Sequence, residues 1–289
     1  MITGSVFHQN NLEVKCLDWN KTKTIFIVVF SILNVFLYSL YLDRYKEAQS
    51  VQLVGENSIE ESLKLDNISY DELPDYNEES SYASAEVATF TEESLKSFKD
   101  QEFTIIDKTL LTSDVKAKFP IRNTKGVYLF PQFLATHVPK GKEYVLWDVD
   151  DENNVALFFQ KVNDYPIYFN QNAMLKIYWD KDENITNYEQ RMFGEFISFN
   201  KKKDLLSPIE AINTLYSRDH LQQNSTVKSV SLGYSTDIQL TKTQVFAPTW
   251  RVRVELEDGE VEDYFINARE GKIVEFPNEL DEEELKENE

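Results

Sequence analysis

Two acidic stretches carry the oxygen-bearing side chains that could bind a cation. Residues 148–154 read DVDDENN and residues 180–184 read DKDEN, so both place oxygens at alternate positions, as a calcium-binding loop does. A twelve-residue calcium loop also needs Gly at its sixth position and Glu at its twelfth, and neither stretch has them. Both follow a β-rich run that ends in Trp, at Trp147 and Trp179. The pattern therefore predicts solvated hairpin turns and no metal site.

Residue types used in nucleophilic catalysis or zinc binding occur without the spacing that such chemistry requires. Ser113-Asp-Val-Lys116 matches the Ser-x-x-Lys of penicillin-recognising enzymes, but no Lys-Thr-Gly follows it. His8, His137 and His220 are scattered, and the single cysteine is Cys16. We therefore expect no enzyme activity and no catalytic, cofactor-binding or metal-binding residue. A hydrolase with dispersed carboxylates stays open as an alternative, because glycosidases need no local motif.

One long apolar segment divides the chain. Residues 24–42 read TIFIVVFSILNVFLYSLYL and contain no charged residue. A helix of this length rises roughly 28 Å, which is close to the hydrocarbon thickness of a bilayer. A signal peptide has a shorter apolar region and a small-residue cleavage site, and no such site follows here. The segment therefore predicts one uncleaved transmembrane helix.

The apolar segment also contains polar residues at helical spacing. Ile27, Ser31, Asn34, Tyr38 and Tyr41 are separated by steps of four and three, so they share one helix face. The opposite face is apolar and comprises Leu33, Phe36 and Leu40. An asparagine deep in hydrocarbon requires a hydrogen-bonding partner, whereas single Ser and interfacial Tyr residues are tolerated without one. The five residues therefore predict an interface with a partner helix.

The orientation of the helix follows from its flanks. Lys15, Lys21 and Lys23 precede it and Arg44 and Lys46 follow it, so the basic residues favour a cytoplasmic N-terminus. No cysteine follows the helix, as is typical of an exported region without disulfides. We therefore predict a single-pass protein of the cell membrane whose C-terminal region is extracellular.

The charge composition narrows the classes of partner. The chain has 30 basic and 50 acidic residues, which gives a formal net charge of −20. Such a surface does not bind nucleic acid or anionic headgroups by counterion release, so no nucleic acid is expected as a partner.

The region after the helix has the pattern of an α+β fold with mainly antiparallel sheets and few helices. One clear helix is predicted at 207–216, with Ser207 as N-cap, Pro208 in the first turn and Glu210 in a capping box. Asp258-Gly259 predicts a hairpin between strands 249–256 and 261–266. The other predicted strands are 103–106, 126–131, 143–148, 155–162, 165–169, 174–179, 185–199, 227–234 and 272–276.

The length of this region predicts two subdomains. We place them at 43–170, which includes an acidic Ser-rich loop at 66–93, and at 171–277. Residues 278–289 are too charged to be buried and are predicted to be a disordered acidic tail. Residues 1–23 are the predicted cytoplasmic tail.

Several segments together resemble the YycI (WalI) family of Gram-positive bacteria. Before the helix, the chain reads Leu17-Asp-Trp-Asn-Lys-Thr-Lys-Thr-Ile-Phe-Ile. Near the C-terminus it reads Pro248-Thr-Trp-Arg-Val-Arg-Val and Tyr264-Phe-Ile-Asn-Ala-Arg-Glu-Gly-Lys-Ile. Helix 207–216 and Val230-Ser-Leu-Gly-Tyr fit the same last domain, which is similar to PepSY-type modules.

The resemblance implies a function and two protein partners. Members of the family are membrane-anchored accessory proteins of the WalK–WalR (YycG–YycF) two-component system, which controls cell-wall metabolism. They act with a YycH (WalH) relative and contact the sensor histidine kinase WalK, without known catalytic residues or cofactors. Alternatives from other classes are a surface enzyme or binding module acting on wall polymers, and a lipid- or cation-sensing domain.

The resemblance also bears on the translation start. Family members tend to begin with Met at the position of Leu17, and residues 1–16 have no counterpart among them. We therefore expect that synthesis starts at codon 17 and that the upstream residues are an artefact of the assigned start.

Overall fold

The structure is a computed structural model that describes residues 19–53, 56–76, 79–199, 203–239 and 242–276. The predictions for a start at Leu17 and for a disordered tail at 278–289 lie outside these residues. The chain forms two compact units, Met1–Leu53 and Val54–Glu289, which are described separately.

The first unit contains one helix, α1, which runs over Trp19–Leu53. Its segment Lys23–Leu42 is long and apolar enough to cross a membrane, and all of its side chains lie outside any protein core. The predicted helix at 24–42 is confirmed as a candidate single membrane span. Helix α1 continues eleven residues beyond the apolar segment, through the polar sequence that follows Leu42.

The second unit contains four further helices and sixteen strands in its described residues. The helices are α2 (Glu56–Leu65), α3 (Glu92–Leu95), α4 (Phe130–His137) and α5 (Pro208–Tyr216). The strands up to residue 162 are β1 (Ser69–Tyr70), β2 (Glu79–Ser80), β3 (Ala83–Glu86), β4 (Gln101–Ile106), β5 (Leu110–Val115), β6 (Tyr144–Asp150) and β7 (Val155–Val162). The later strands are β8 (Tyr165–Pro166), β9 (Met174–Trp179), β10 (Ile185–Gln190), β11 (Ile197–Ser198), β12 (Lys203–Asp204), β13 (Thr226–Ser235), β14 (Thr243–Glu255), β15 (Val261–Asn267) and β16 (Ile273–Val274).

The strands form two seven-stranded sheets. The first sheet has the order β1-β13-β14-β15-β16, with β3 paired to β14 and β11 paired to β3. The second sheet has the order β4-β5-β10-β9-β7-β6, with β8 paired to β7. A separate pair joins β12 to β2. All named pairs are antiparallel except β1 with β13, so the predicted α+β class with mainly antiparallel sheets is confirmed.

The predictions that agree with the structure rest on helix capping or on runs of β-forming residues. Ser207 Oγ accepts a hydrogen bond from the N–H of Glu210 at 3.3 Å, and Glu210 Oε2 accepts one from the N–H of Ser207 at 2.7 Å. This is the predicted capping box of α5. The predicted strands at 155–162 and 174–179 have the predicted bounds.

Three local predictions are wrong and one strand was missed. The strand predicted at 185–199 is interrupted, since β10 ends at Gln190 and β11 begins at Ile197. The strand predicted at 126–131 is not formed, because Phe130 begins helix α4 with Pro131 in its first turn, a position that tolerates proline. Strand β5 was not predicted, since its sequence LLTSDV lacks clear alternation. The predicted loop 66–93 includes β1, β2, β3 and α3, because buried Ala83 and Ala85 let β3 pack closely beside β14.

The sheets do not follow the sequence boundary expected near residue 170. Strands β9 and β10, which follow that position, pair within the second sheet beside β5 and β7, which precede it. The segment 101–190 therefore supplies the whole second sheet, and the chain on both sides of it supplies the first. The division into subdomains 43–170 and 171–277 stays a prediction.

The core consists of layers within and between the sheets. Helices α2 and α5 pack on the first sheet around Trp250 and Val252, and α4 packs on the second around Phe133 and Phe158. A third cluster joins β3, β13 and β14 to Val162 of β7. A fourth is an aromatic layer that joins Phe159 of β7 to Phe265 of β15 through Tyr168.

Gly233 marks a close approach of the chain to the first sheet. A Cβ at this position would lie 2.3 Å from the ring of Tyr168 and 2.7 Å from the carbonyl oxygen of Pro166. We expect Gly233→Ala to lower the free energy of unfolding by about 1–3 kcal/mol, because the segment carrying Tyr168 must move. Gly194→Ala is the matched control, since its Cβ would meet only Glu86 O at 3.6 Å. Denaturant unfolding of the full chain in detergent measures both, and equal stability of the two variants would contradict the prediction.

His137 should make the stability of this unit depend on pH. Its ring stacks on Phe133 with 4.8 Å between centroids and meets Phe119 edge-on at 5.3 Å. Burial lowers the pKa of His137 below its ordinary value, and the nearby Asp100 carboxylate opposes this only in part. At His137 the unfolded chain therefore binds a proton more readily than the folded chain. The stabilisation that comes from neutral His137 is thus fully present above a pH of about 6.5 and is lost as the pH falls through the folded-state pKa.

The comparison that tests this effect is between the wild type and His137→Gln. The difference in thermal midpoint between the two proteins should shrink between pH 7.5 and pH 5, because only in the wild type does protonation of this half-buried ring favour the unfolded chain. A difference that stays constant over this range would show that His137 is not the titrating group.

Candidate functional site

The five residues predicted to form a partner-helix interface lie on one exposed stripe of α1. Ile27, Ser31, Asn34, Tyr38 and Tyr41 are all exposed and all lie within the helical segment Lys23–Leu42. At 100° per residue they deviate by no more than about 40° from a common direction, and they span about 21 Å along the helix axis.

The steps of four and three along this stripe are those of a helix-packing seam. Residues at such positions insert between the side chains of a facing helix when two helices cross at a small angle. Asn34 is at the centre of the stripe, where its amide can both donate and accept hydrogen bonds. Leu33, Phe36 and Leu40, on the opposite face, are exposed and offer only apolar atoms, which suits contact with lipid.

The two acidic stretches form hairpin turns, as predicted. The first joins β6 to β7 and the second joins β9 to β10. Asp150 Oδ1 accepts hydrogen bonds from the N–H groups of Glu152 and Asn153 at 3.0 and 2.9 Å, and Asp180 Oδ1 accepts them from Asp182 and Asn184, both at 2.9 Å. Hydrogen bonding lowers the pKa of both carboxyl groups. Aspartate suits both turns because its short side chain accepts hydrogen bonds from the turn backbone.

The Ser-x-x-Lys match has structural roles in the second sheet. Ser113 Oγ is buried and donates a hydrogen bond to Gln101 Oε1 at 2.8 Å. Lys116 Nζ forms an ion pair with Glu102 Oε2 at 3.0 Å on the surface. Ser113 lies in β5 and Lys116 directly follows it, three positions away, so an extended chain directs the two side chains to opposite faces. This geometry does not form a nucleophile–base pair.

An exposed apolar surface of the second unit was not predicted from the sequence. It comprises the exposed residues Ile197, Phe199, Ile238 and Val245 and the half-buried Tyr82. It lies along β3, β11 and the start of β14, and we refer to it as the β3 face. Its residues are far apart in sequence and become neighbours only through strand pairing. Phe199 is the last residue of the predicted strand 185–199, whereas Val245 lies outside every predicted strand, and nothing local indicated that either side chain faces outward.

The comparisons with known proteins give a family and two distant structural likenesses. The model of the family described as YycI protein matches residues 47–269, which is most of the chain. No curated protein matches the chain. The structure of an uncharacterized protein from Eubacterium rectale is 12% identical with a TM-score of 0.43, and the match covers 73% of this chain and 92% of that one.

The second likeness is to the C-terminal domain of YpeB from Bacillus megaterium. It is 13% identical with a TM-score of 0.36, and the match covers 68% of this chain and 90% of that one. At these TM-scores and identities neither likeness bears on the function of this chain. The family match is of a different kind, because it extends from the end of α1 to the last long strand of the first sheet. The chain therefore belongs to the YycI family, a family of accessory regulators of the WalK (YycG) two-component system.

Proposed function

We propose that this protein is a non-enzymatic, membrane-anchored regulator that binds the sensor histidine kinase WalK and a YycH relative. Its helix α1 crosses the cell membrane once, with the N-terminus in the cytoplasm and the second unit outside the cell. The observation that carries this proposal is the family match over residues 47–269. Within the described residues, the chain also has one candidate membrane span, and this span has a polar stripe.

The stripe supports binding within the membrane. In hydrocarbon the hydrophobic effect does not drive helices together, so packing and interhelical hydrogen bonds determine which face is used. Asn34 and Ser31 supply hydrogen-bonding groups at adjacent seam positions of α1. An unpartnered amide at this depth is unfavourable, which stabilises a complex with partner helices that offer donors or acceptors.

Regulation requires more than binding. A bound protein shifts the kinase between signalling states only if its contact free energy differs between them. A regulator that contacts the kinase both in the membrane and outside it has different contact free energies in the two states if the membrane and extracellular regions of the kinase move relative to each other. The helix stripe and the surface of the second unit therefore have complementary roles, one in holding the complex and one in sensing its state.

The helix stripe is tested by replacing its central amide. Asn34→Leu keeps the segment apolar and inserted, but it removes the hydrogen bonds to partner helices. We expect association with WalK and the YycH relative to weaken by about 0.6–2 kcal/mol, or roughly threefold to thirtyfold. Quantitative co-purification from native membranes at matched expression measures this change.

Leu33→Ala is the control for the stripe, because Leu33 lies on the opposite face of α1. It should weaken association much less than Asn34→Leu. Wild-type association of Asn34→Leu would remove the helix from the interface, and a larger loss for Leu33→Ala would assign the interface to the other face.

The orientation is tested by cysteine labelling in intact cells. Lys125 is exposed in the turn before α4, so Lys125→Cys in a Cys16→Ser background gives one accessible thiol in the second unit. It should react with a membrane-impermeant maleimide before lysis. Asn20→Cys in the same background, on the other side of the segment, should react only after lysis. The reverse pattern would contradict the proposed orientation.

A further inference from the structure

The β3 face is a continuous surface made by three paired strands. Ile197 of β11 lies opposite Ser84 of β3, and Ser84 lies opposite Val245 of β14. The small Ser84 therefore separates two apolar side chains that point in the same direction. The N–H of Phe199 donates a hydrogen bond to the carbonyl of Tyr82 at 2.9 Å, which extends the pairing by one further row. Since residues two apart on a strand share a face, Phe199 and Tyr82 join the same surface.

The side chains of this face are exposed although they are large and apolar. Ile197 is 65% exposed, Phe199 46%, Val245 49% and Ile238 63%. On the opposite face of β3 and of the start of β14, Ala83, Ala85 and Phe246 are buried, so these two strands alternate between buried and outward residues, whereas both residues of β11 are exposed. Single apolar residues are common on protein surfaces, but a contiguous group with an aromatic residue is typical of a protein interface.

A groove adjoins the exposed residues. It has a volume of about 370 Å³. Tyr82, Ile238, Val245 and Ala247 form its apolar side, and the rest of its lining is polar and includes Asp237 and Glu270. A groove of this kind accommodates an inserted apolar or aromatic side chain, which is the usual form of an interface anchor. The exposed strands beside it supply the flat area that excludes water around such an anchor.

The charges at the rim indicate which partner fits. Exposed carboxylates surround the face at Glu86, Glu195, Asp237 and Glu270. Among the described side chains nearby, Lys242 forms an ion pair with Glu86 at 3.2 Å, and the Arg269 guanidinium lies 4.6 Å from the ring centroid of Tyr82. Residues 201–203, which follow this face in the sequence, are lysines whose side chains lie outside the described part of the chain. A second copy would bring another acidic rim and a net charge of −20, so self-association is disfavoured.

We infer that the β3 face binds a segment of a partner protein that carries an apolar anchor flanked by lysine or arginine. The anchor enters the groove between Tyr82 and Val245, neighbouring apolar side chains cover Ile197 and Phe199, and the basic flanks meet the acidic rim. This inference rests on the proposed function and adds to it the extracellular surface by which the regulator recognises a partner in the membrane complex.

The apolar part is tested with the double variant Ile197→Ser and Phe199→Ser in the full chain. Both side chains are exposed, so the fold should be retained and the thermal midpoint should change little. Recovery of WalK or the YycH relative from native membranes should fall at least about fivefold. The matched control is Ile106→Ser with Val127→Ser, which removes two exposed apolar side chains away from this face and should leave recovery unchanged.

The electrostatic part is tested by charge reversal at the rim. Glu195→Lys with Asp237→Lys should weaken recovery of the partner, and the difference from the wild type should shrink as salt is raised. Glu152→Lys with Asp182→Lys makes the same change in charge in the two hairpin turns and should have no such effect.

The outcomes separate this inference from the proposed function. If the wild type recovers its partners and the Ile197/Phe199 variant does so equally well, the inference is overturned and the proposed function stands. If the detergent-solubilised wild type is a dimer that this variant dissociates, the face binds a second copy and the stated partner is wrong. If the wild type recovers neither protein, the proposed function itself fails.

Discussion

The aromatic layer between the two sheets is the interaction on which the rest of the second unit depends. At its centre, the Arg251 guanidinium lies 4.0 Å from the ring centroid of Trp147, and Asp263 holds it by two hydrogen bonds of 2.8 and 2.6 Å. Arg251 and Asp263 belong to the first sheet and Trp147 to the second. The carboxylate fixes the position of the cation, so the cation–π contact joins the sheets with a defined geometry in addition to apolar burial.

A second set of contacts between the sheets positions the β3 face. Asn170 Nδ2 donates to Gln244 Oε1 at 2.7 Å, and Gln244 Nε2 donates to the carbonyl of Gln239 at 2.6 Å, with Asn170 and Gln244 both buried. These bonds tie the connection between the sheets to the start of β14, next to Val245 and Ile238. Because buried polar groups are costly to leave unpaired, the bonds restrict this part of the chain to one arrangement. The exposed apolar side chains are therefore held by a rigid inner layer.

Sequence information was sufficient for features set by neighbouring residues. The α5 capping box, the Asp258-Gly259 hairpin and the membrane segment each depend on one continuous stretch of the sequence, and each is present. Pairings between distant segments were not predictable in this way. The four residues of β3 contain two alanines, a serine and a glutamate, so they become a strand only because β14 and β11 flank them. The β3 face depends on those pairings and was missed for the same reason.

The buried polar groups of the second unit have structural roles. Within the described residues the buried polar side chains other than tyrosine are amides and hydroxyls, and burial is the largest cause that raises the pKa values of Tyr144 and Tyr188 above the ordinary value. Such groups fix the relative positions of strands by hydrogen bonds. The carboxylates instead lie at the surface, where they repel acidic proteins and attract basic ones at long range. The proposed function uses both properties: surface charge selects the partner at long range, and the β3 face supplies the apolar contact.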